Sequence, residues 1–138
     1  MSRWTIEIFG RSYGRFYSSL SKYQQLVVDS ALLNVLSVEG IGICSGEWGK
    51  PLGGGLYEFR IRKSLLAIEN STNETSLMSR TDSRNSPVLI RIFCTFHGDK
   101  IVVLHHGYDK QRDPSPKRQQ REIRAARKLH NEWKEGLN

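Results

Sequence analysis

Arg60, Arg62 and Arg91 are the residues of this chain best suited to hold an anion. A guanidinium is always charged and grips a phosphate with two parallel N–H donors. For the same reason it is a poor proton carrier. Proton transfer would fall to a second group, His106, Tyr108 and Lys110, within five residues of one another. His106 is the natural acid or base near neutral pH. Lys110 or Lys117 could serve only if neighbouring arginines depressed its pKa. Each has a plainer reading beside it: Glu58 and Arg60 could simply pair on the sheet surface, and Tyr108 could be a core aromatic. His105 and His106 are adjacent, so strict alternation lets at most one of them face a shared site.

The elements that must position these groups follow from hydrophobic period. Leu56–Arg62 alternates as a strand, with Tyr57, Phe59 and Ile61 toward a core and Glu58, Arg60 and Arg62 toward an open face. Val88–Phe96 and Lys100–His106 form a hairpin across His97-Gly98-Asp99. In its first arm Ile90, Ile92, Cys94 and Phe96 share one face and Arg91, Phe93 and Thr95 the other, so Arg91 adds a third arginine to the open side. The second arm is apolar on both faces, as an interior strand would be. Trp4–Phe9 is a short first strand and Gly10–Gly14 a turn. Ser18 or Ser19 would cap a helix over Ser21–Val38, whose stripe is Tyr23, Leu26, Val27, Ala31, Val35 and Val38, widened by Leu32, Leu33 and Leu36. Gly40 stops it. Ile41–Gly55 is a loop crossed by a short extended piece. Ser64–Ile68 continues the strand or bends away from it. Glu69–Pro87 is polar and reads as a long mobile insert. Ser115 and Pro116 open a last helix running to about Glu135, with Ile123, Ala126, Leu129, His130 and Trp133 on its buried face. These strands and helices belong to a single domain over residues 1–138.

Charge is the strongest compositional signal. The 138 residues carry 21 Lys and Arg against 14 Asp and Glu, a net charge of +7. From Lys110 to Lys134 there are nine basic and three acidic residues, so the last helix is a cationic docking surface or a solvated face. Such a balance suits phosphate-rich partners. Cys44 and Cys94 lack CxxC spacing and cluster with no histidines, which argues against a disulfide framework or a structural zinc site. The N-terminus lacks the apolar run of a signal peptide, and no stretch reads as a membrane span. The expectation is a cytoplasmic protein without a metal or cofactor.

Four stretches in order carry a resemblance: Gly55-Leu56-Tyr57-Glu58-Phe59-Arg60, Leu89-Ile90-Arg91-Ile92-Phe93, Leu104-His105-His106-Gly107-Tyr108-Asp109-Lys110, and Pro116-Lys117-Arg118-Gln119-Gln120-Arg121-Glu122-Ile123 with Ala125-Ala126. Together they resemble the RelE/HigB/ParE superfamily of bacterial toxins, in its phage-derived HigB-like branch, from about Gly53 to Trp133. The resemblance implies an α+β fold, a small antiparallel sheet with helices on one face and an open basic concave side. It also implies a toxin of a type II toxin–antitoxin pair that cuts mRNA on the ribosome, neutralised by a helix-turn-helix antitoxin. Metal-free RNA cleavage uses the 2′-OH as nucleophile and needs a proton acceptor, a proton donor and cations around the phosphate. Those roles would go to Arg60, Arg91, His106, Tyr108 and Lys110. Arg62, Lys63, Arg112, Lys117, Arg118, Arg121 and Arg124 would hold RNA, including ribosomal RNA. Two rival readings stay open. One is a ParE-like inhibitor of DNA gyrase without enzymatic activity. The other is a nucleic-acid-binding module that kept the fold and lost the activity.

Overall fold

The computed structural model describes residues 2–72 and 85–137. Five strands form one sheet in the order β1-β5-β4-β3-β2, with β1 at Thr5–Ile8, β2 at Gly49–Gly53, β3 at Leu56–Ile61, β4 at Ile90–His97 and β5 at Ile101–Asp109. β2 to β5 pair antiparallel, β4 and β5 as the hairpin expected from the sequence, and β1 adds a parallel pairing on β5 that makes the sheet mixed. The fold is α+β.

One face of the sheet carries the main core. Phe59 and Ile61 of β3 and Ile90, Ile92 and Cys94 of β4 are fully buried there. Above them lies a long helical run: α2 (Lys22–Ala31), a π-helical turn (Leu32–Leu36), α3 (Ser37–Glu39) and a 3₁₀ stretch (Gly40–Ser45). Val27, Val28, Ala31, Val35 and Leu36 face inward, whereas Leu26, Leu33 and Val38, expected in the buried stripe, are exposed. The π turn adds a residue to the helical period and rotates the stripe. By length and composition Lys22–Ser45 would also pass for a membrane-spanning helix, a resemblance the sequence reading missed. In this fold its apolar face forms the core. Gly40 ends α3 at φ 53°, where a β-carbon would fall inside the Trp4 ring.

Three local expectations are corrected. The turn assigned to Gly10–Gly14 is the start of helix α1, Ser12–Ser18, whose Tyr13 and Phe16 are buried in the core. The cap of α2 is Ser21, not Ser18 or Ser19. Its hydroxyl accepts from the Gln24 N–H at 3.1 Å, and the Gln24 side chain accepts from the Ser21 N–H at 3.0 Å. That reciprocal pair is a capping box, readable as Ser-x-x-Gln. Third, of the two alternatives for Ser64–Ile68, the chain bends away from β3 and does not extend it. The segment opens helix α4, Leu65–Thr72, with Leu65, Leu66 and Ile68 buried and the Ser64 hydroxyl accepting from the Ala67 N–H at 3.1 Å. The first residues of the expected polar insert are therefore helical, and its part over 73–84 lies outside the described residues.

The largest correction concerns the face expected to be open. Helix α5, Pro116–Glu135, lies across it. Leu56, Phe93, Tyr108 and Ala126 form a second buried cluster with Leu52 and Ile123. The helix start was legible: Ser115 caps it, accepting from the Arg118 N–H at 3.2 Å, and Pro116 holds the first turn. Its docking was not, because the long basic face hides how much of the opposite side is apolar. Arg127 fastens it to the β2–β3 turn by donating to the carbonyls of Gly53 and Leu52, at 2.6 and 2.9 Å.

Candidate phosphate-binding site

Cross-strand register sets the floor of the site. On the face under α5, Glu58 of β3 stands opposite Phe93 of β4, which stands opposite His106 of β5. One row further, Arg60 stands opposite Arg91 and Arg91 opposite Tyr108. Residues directly opposite approach within about 4.5–5.5 Å at Cβ. Two carboxylate and guanidinium rows thus meet beside the start of α5.

Glu58 is the centre of this arrangement, and sequence reasoning had cast it only as a surface partner of Arg60. It is fully buried. Its Oε1 accepts from Arg60 Nε at 3.0 Å and lies 3.6 Å from Arg91 Nε. Arg91 is itself only 3% exposed, so its guanidinium sits under the surface instead of lying free on an open face. Burial lowers its pKa and the Glu58 charge opposes that shift. Arg91 is therefore the buried counter-ion of Glu58, and the accessible cations are its neighbours. Arg60 is partly exposed and Arg62 exposed, the latter reaching Glu47 at 4.0 Å, while Lys63 pairs with the same carboxylate at 2.9 Å.

Lys110 follows β5 directly, its N–H bonded to the Leu89 carbonyl at 2.9 Å and its ammonium donating to Gln119 at 3.3 Å. Burial first, and then the Arg91 charge, push its pKa below the ordinary lysine range. Glu58 opposes the shift while Arg60 and Arg62 add to it. Tyr108 is 2% exposed, and burial with the nearby Glu58 charge pushes its phenol up to about 12. It stays protonated near neutral pH. Its ring stacks on Phe93 with centroids 6.1 Å apart and lies under the Arg118 guanidinium, 5.3 Å from the ring centre.

His106 stacks on the other side of this aromatic row, 5.9 Å from Phe93. Both its ring nitrogens are engaged: Nδ1 with the Ser12 hydroxyl at 2.6 Å, and Nε2 with Glu122 Oε2 at 2.8 Å. Glu122 in turn lies 3.4 Å from Arg118 Nε and 3.9 Å from Arg121 Nε. Ser12 and Glu122 were not singled out from the sequence. Ser12 sits 94 positions from His106 and falls in a stretch read as a turn. Glu122 looked like one acid on a basic helix. Among the remaining candidates, Arg112, Lys117, Arg121 and Arg124 are exposed, with Arg124 on the outer side of α5 away from the Lys110 cluster.

Both histidines face α5, against the alternation argument. The register between β4 and β5 passes from Phe93 opposite His106 to Cys94 opposite Leu104, leaving His105 as a β-bulge. His105 is fully buried. Its Nε2 shares a hydrogen bond with the Thr95 hydroxyl at 2.9 Å, and it packs against the rings of His130 and Trp133. Burial, with the neighbouring His130 adding, pushes its pKa down to about 4. The unfolded chain takes up this proton below about pH 6.5, while the folded chain resists until about pH 4. Stability is therefore fully present above the unfolded value and falls as pH drops through that window, by up to about 3 kcal/mol. Urea unfolding at pH 7 and pH 4.5 measures this drop. A His105→Asn variant should show a smaller one, and an equal drop would remove His105 as its source.

No family model, no curated protein and no solved structure matches the chain. Among the described residues no group of three or more His, Cys, Asp or Glu is placed to hold a metal ion.

Proposed function

We propose that this chain is the toxin of a type II toxin–antitoxin pair, a ribosome-dependent and metal-independent mRNA endonuclease of the RelE/HigB/ParE superfamily, in its phage-derived HigB-like branch. The observation that carries the reading is the row of Arg60 opposite Arg91, with Lys110 close by, where burial first and then the Arg91 charge lower its pKa. Such a lysine releases its proton more readily than a free one, and the arginines can offset the charge that develops on a phosphate. Glu58 lies beside Arg60 and Arg91, and the Arg118 guanidinium stands over Tyr108. The exposed cations of α5 supply a long-range attraction for ribosomal RNA. A cognate helix-turn-helix antitoxin would neutralise the chain by covering this face.

Induced expression tests the reading. Growth and translation should stop, and Lys110→Ala should relieve the arrest. Continued translation with accumulating DNA breaks would favour gyrase inhibition. Undisturbed growth would favour a binding module without activity. Ribosome binding should weaken with salt by a log–log slope of about 0.7–0.9 per phosphate neutralised. Charge reversal at Arg121 and Arg124 should reduce that slope, and a slope indifferent to them would remove α5 from the docking surface.

A further inference from the structure

A second cleft opens between α1, the end of β5 and the start of α5, on the far side of Tyr108 from Glu58. It has a volume of about 330 Å³, and its walls include Ser12, Arg15, Tyr108, Asp109, Arg112 and Arg118. That is within the usual size of small-ligand pockets, roughly 300–1,000 Å³. Three arginines face one carboxylate in it. The Asp109 oxygens are already occupied, accepting from the Gln24 amide at 2.8 Å and the Gln111 N–H at 3.0 Å. Arg15 and Arg112 form no ion pair among the described residues. At Arg15 and Arg112 an anion thus gains charge-assisted bonds without displacing an internal partner, while Arg118 would share its charge with Glu122.

The Ser12–His106–Glu122 chain gives the cleft a second property. Where Glu122 accepts, as a carboxylate must, the His106 nitrogen it contacts, Nε2, carries the hydrogen. Nδ1 then either accepts from the Ser12 hydroxyl or, in the imidazolium, donates to it. Either arrangement leaves a lone pair on the Ser12 oxygen for a further donor. An acceptor set among arginines matches one feature of nucleic acid: a ribose 2′-OH next to a phosphate, the group by which proteins separate RNA from DNA.

We infer that this cleft is a ribonucleotide subsite, in which Arg15, Arg112 and Arg118 hold a backbone phosphate and Ser12 accepts a hydrogen bond from the adjacent 2′-OH. It rests on the RNA reading of the neighbouring site and extends the path of the strand from Lys110 across Tyr108 to α1. The test is binding, not cleavage. Fluorescein-labelled hexauridylate and its 2′-deoxy counterpart are titrated with the full chain at fixed salt and followed by anisotropy. The ribo-oligomer should bind about three- to tenfold tighter, the worth of one hydrogen bond. Ser12→Ala should bring the two affinities together by weakening the ribo-oligomer alone. Arg112→Ala should weaken both equally and lower the salt slope by about 0.7. A ribo/deoxy ratio unchanged by Ser12→Ala, or binding indifferent to Arg15→Ala and Arg112→Ala, would overturn the assignment. If the preference holds while programmed ribosomes keep their message intact, the endonuclease reading fails and the subsite stands. If the message is cut and the preference is absent, the reverse is true.

Discussion

Replacing Glu58 with alanine is expected to destabilise the fold by about 3–5 kcal/mol, the usual cost of leaving a buried charge without its partner. Arg91 is the reason. Its guanidinium is 3% exposed, lies 3.6 Å from the Glu58 carboxylate and, among the described residues, otherwise reaches only its neighbour's carbonyl, Ile90, at 3.5 Å. Arg60 can swing into solvent when its own 3.0 Å bond to Glu58 is lost, because it is partly exposed. Arg91 cannot, with the Phe93–Tyr108 stack beside it and α5 above. Replacing both members by apolar residues of similar size is often near neutral. A Glu58→Leu, Arg91→Met double variant should therefore recover most of what Glu58→Leu alone loses. Chemical denaturation of the four proteins gives the coupling directly. Simple additivity would mean that Arg91 has another partner and that Glu58 is not the anchor of the site.

The second large effect falls on Lys110. If this lysine moves a proton in the cleavage step, Lys110→Ala should slow cleavage by about 10²–10⁴-fold, the range for general acid–base groups. Lys110→Arg separates charge from proton transfer, since arginine keeps the cation but does not release a proton near neutral pH. The account expects Lys110→Arg to bind ribosomes like the parent chain and to cut nearly as poorly as the alanine variant. Burial and the Arg91 charge lower the Lys110 pKa, so its neutral form appears at lower pH than for a free lysine. Cleavage that needs the neutral form should rise with pH and level off below the ordinary lysine value. An Arg91→Met variant should move that limb to higher pH, since it removes a charge that lowers the Lys110 pKa and leaves the opposing Glu58 charge with one partner fewer. Full activity in Lys110→Arg would reduce Lys110 to a phosphate contact.

Much of the scaffold could be read from residue types alone. The hairpin, the Ser115–Pro116 helix start, the stop at Gly40 and the opposed faces of Leu56–Ile61 follow from period and capping chemistry. The site was partly legible. Arg60 and Arg91 do share a face, because two-residue alternation fixes it, and Tyr108 joins them through the bulge at His105, with Lys110 close enough to feel the Arg91 charge. What alternation could not supply was depth. Whether Arg91 lies on a surface or beneath one depends on a helix more than 20 residues further along the chain. The bulge at His105 was also hidden, because an extra residue leaves no mark in composition while reversing every facing after it. Ser12 and Glu122 were missed for a related reason. Each is unremarkable in its own segment, and only tertiary folding brings them to the two sides of one imidazole.

The central claim is that the chain cuts message on the ribosome by using the 2′-OH as the nucleophile. Purified chain is added to ribosomes carrying a defined message, and the ends of the fragments are mapped and chemically typed. The expected result is cleavage confined to ribosome-bound message, leaving a 2′,3′-cyclic phosphate or 3′-phosphate upstream and a 5′-hydroxyl downstream, and lost in Lys110→Ala. Intact message under these conditions, or fragments bearing 5′-phosphates, would contradict it.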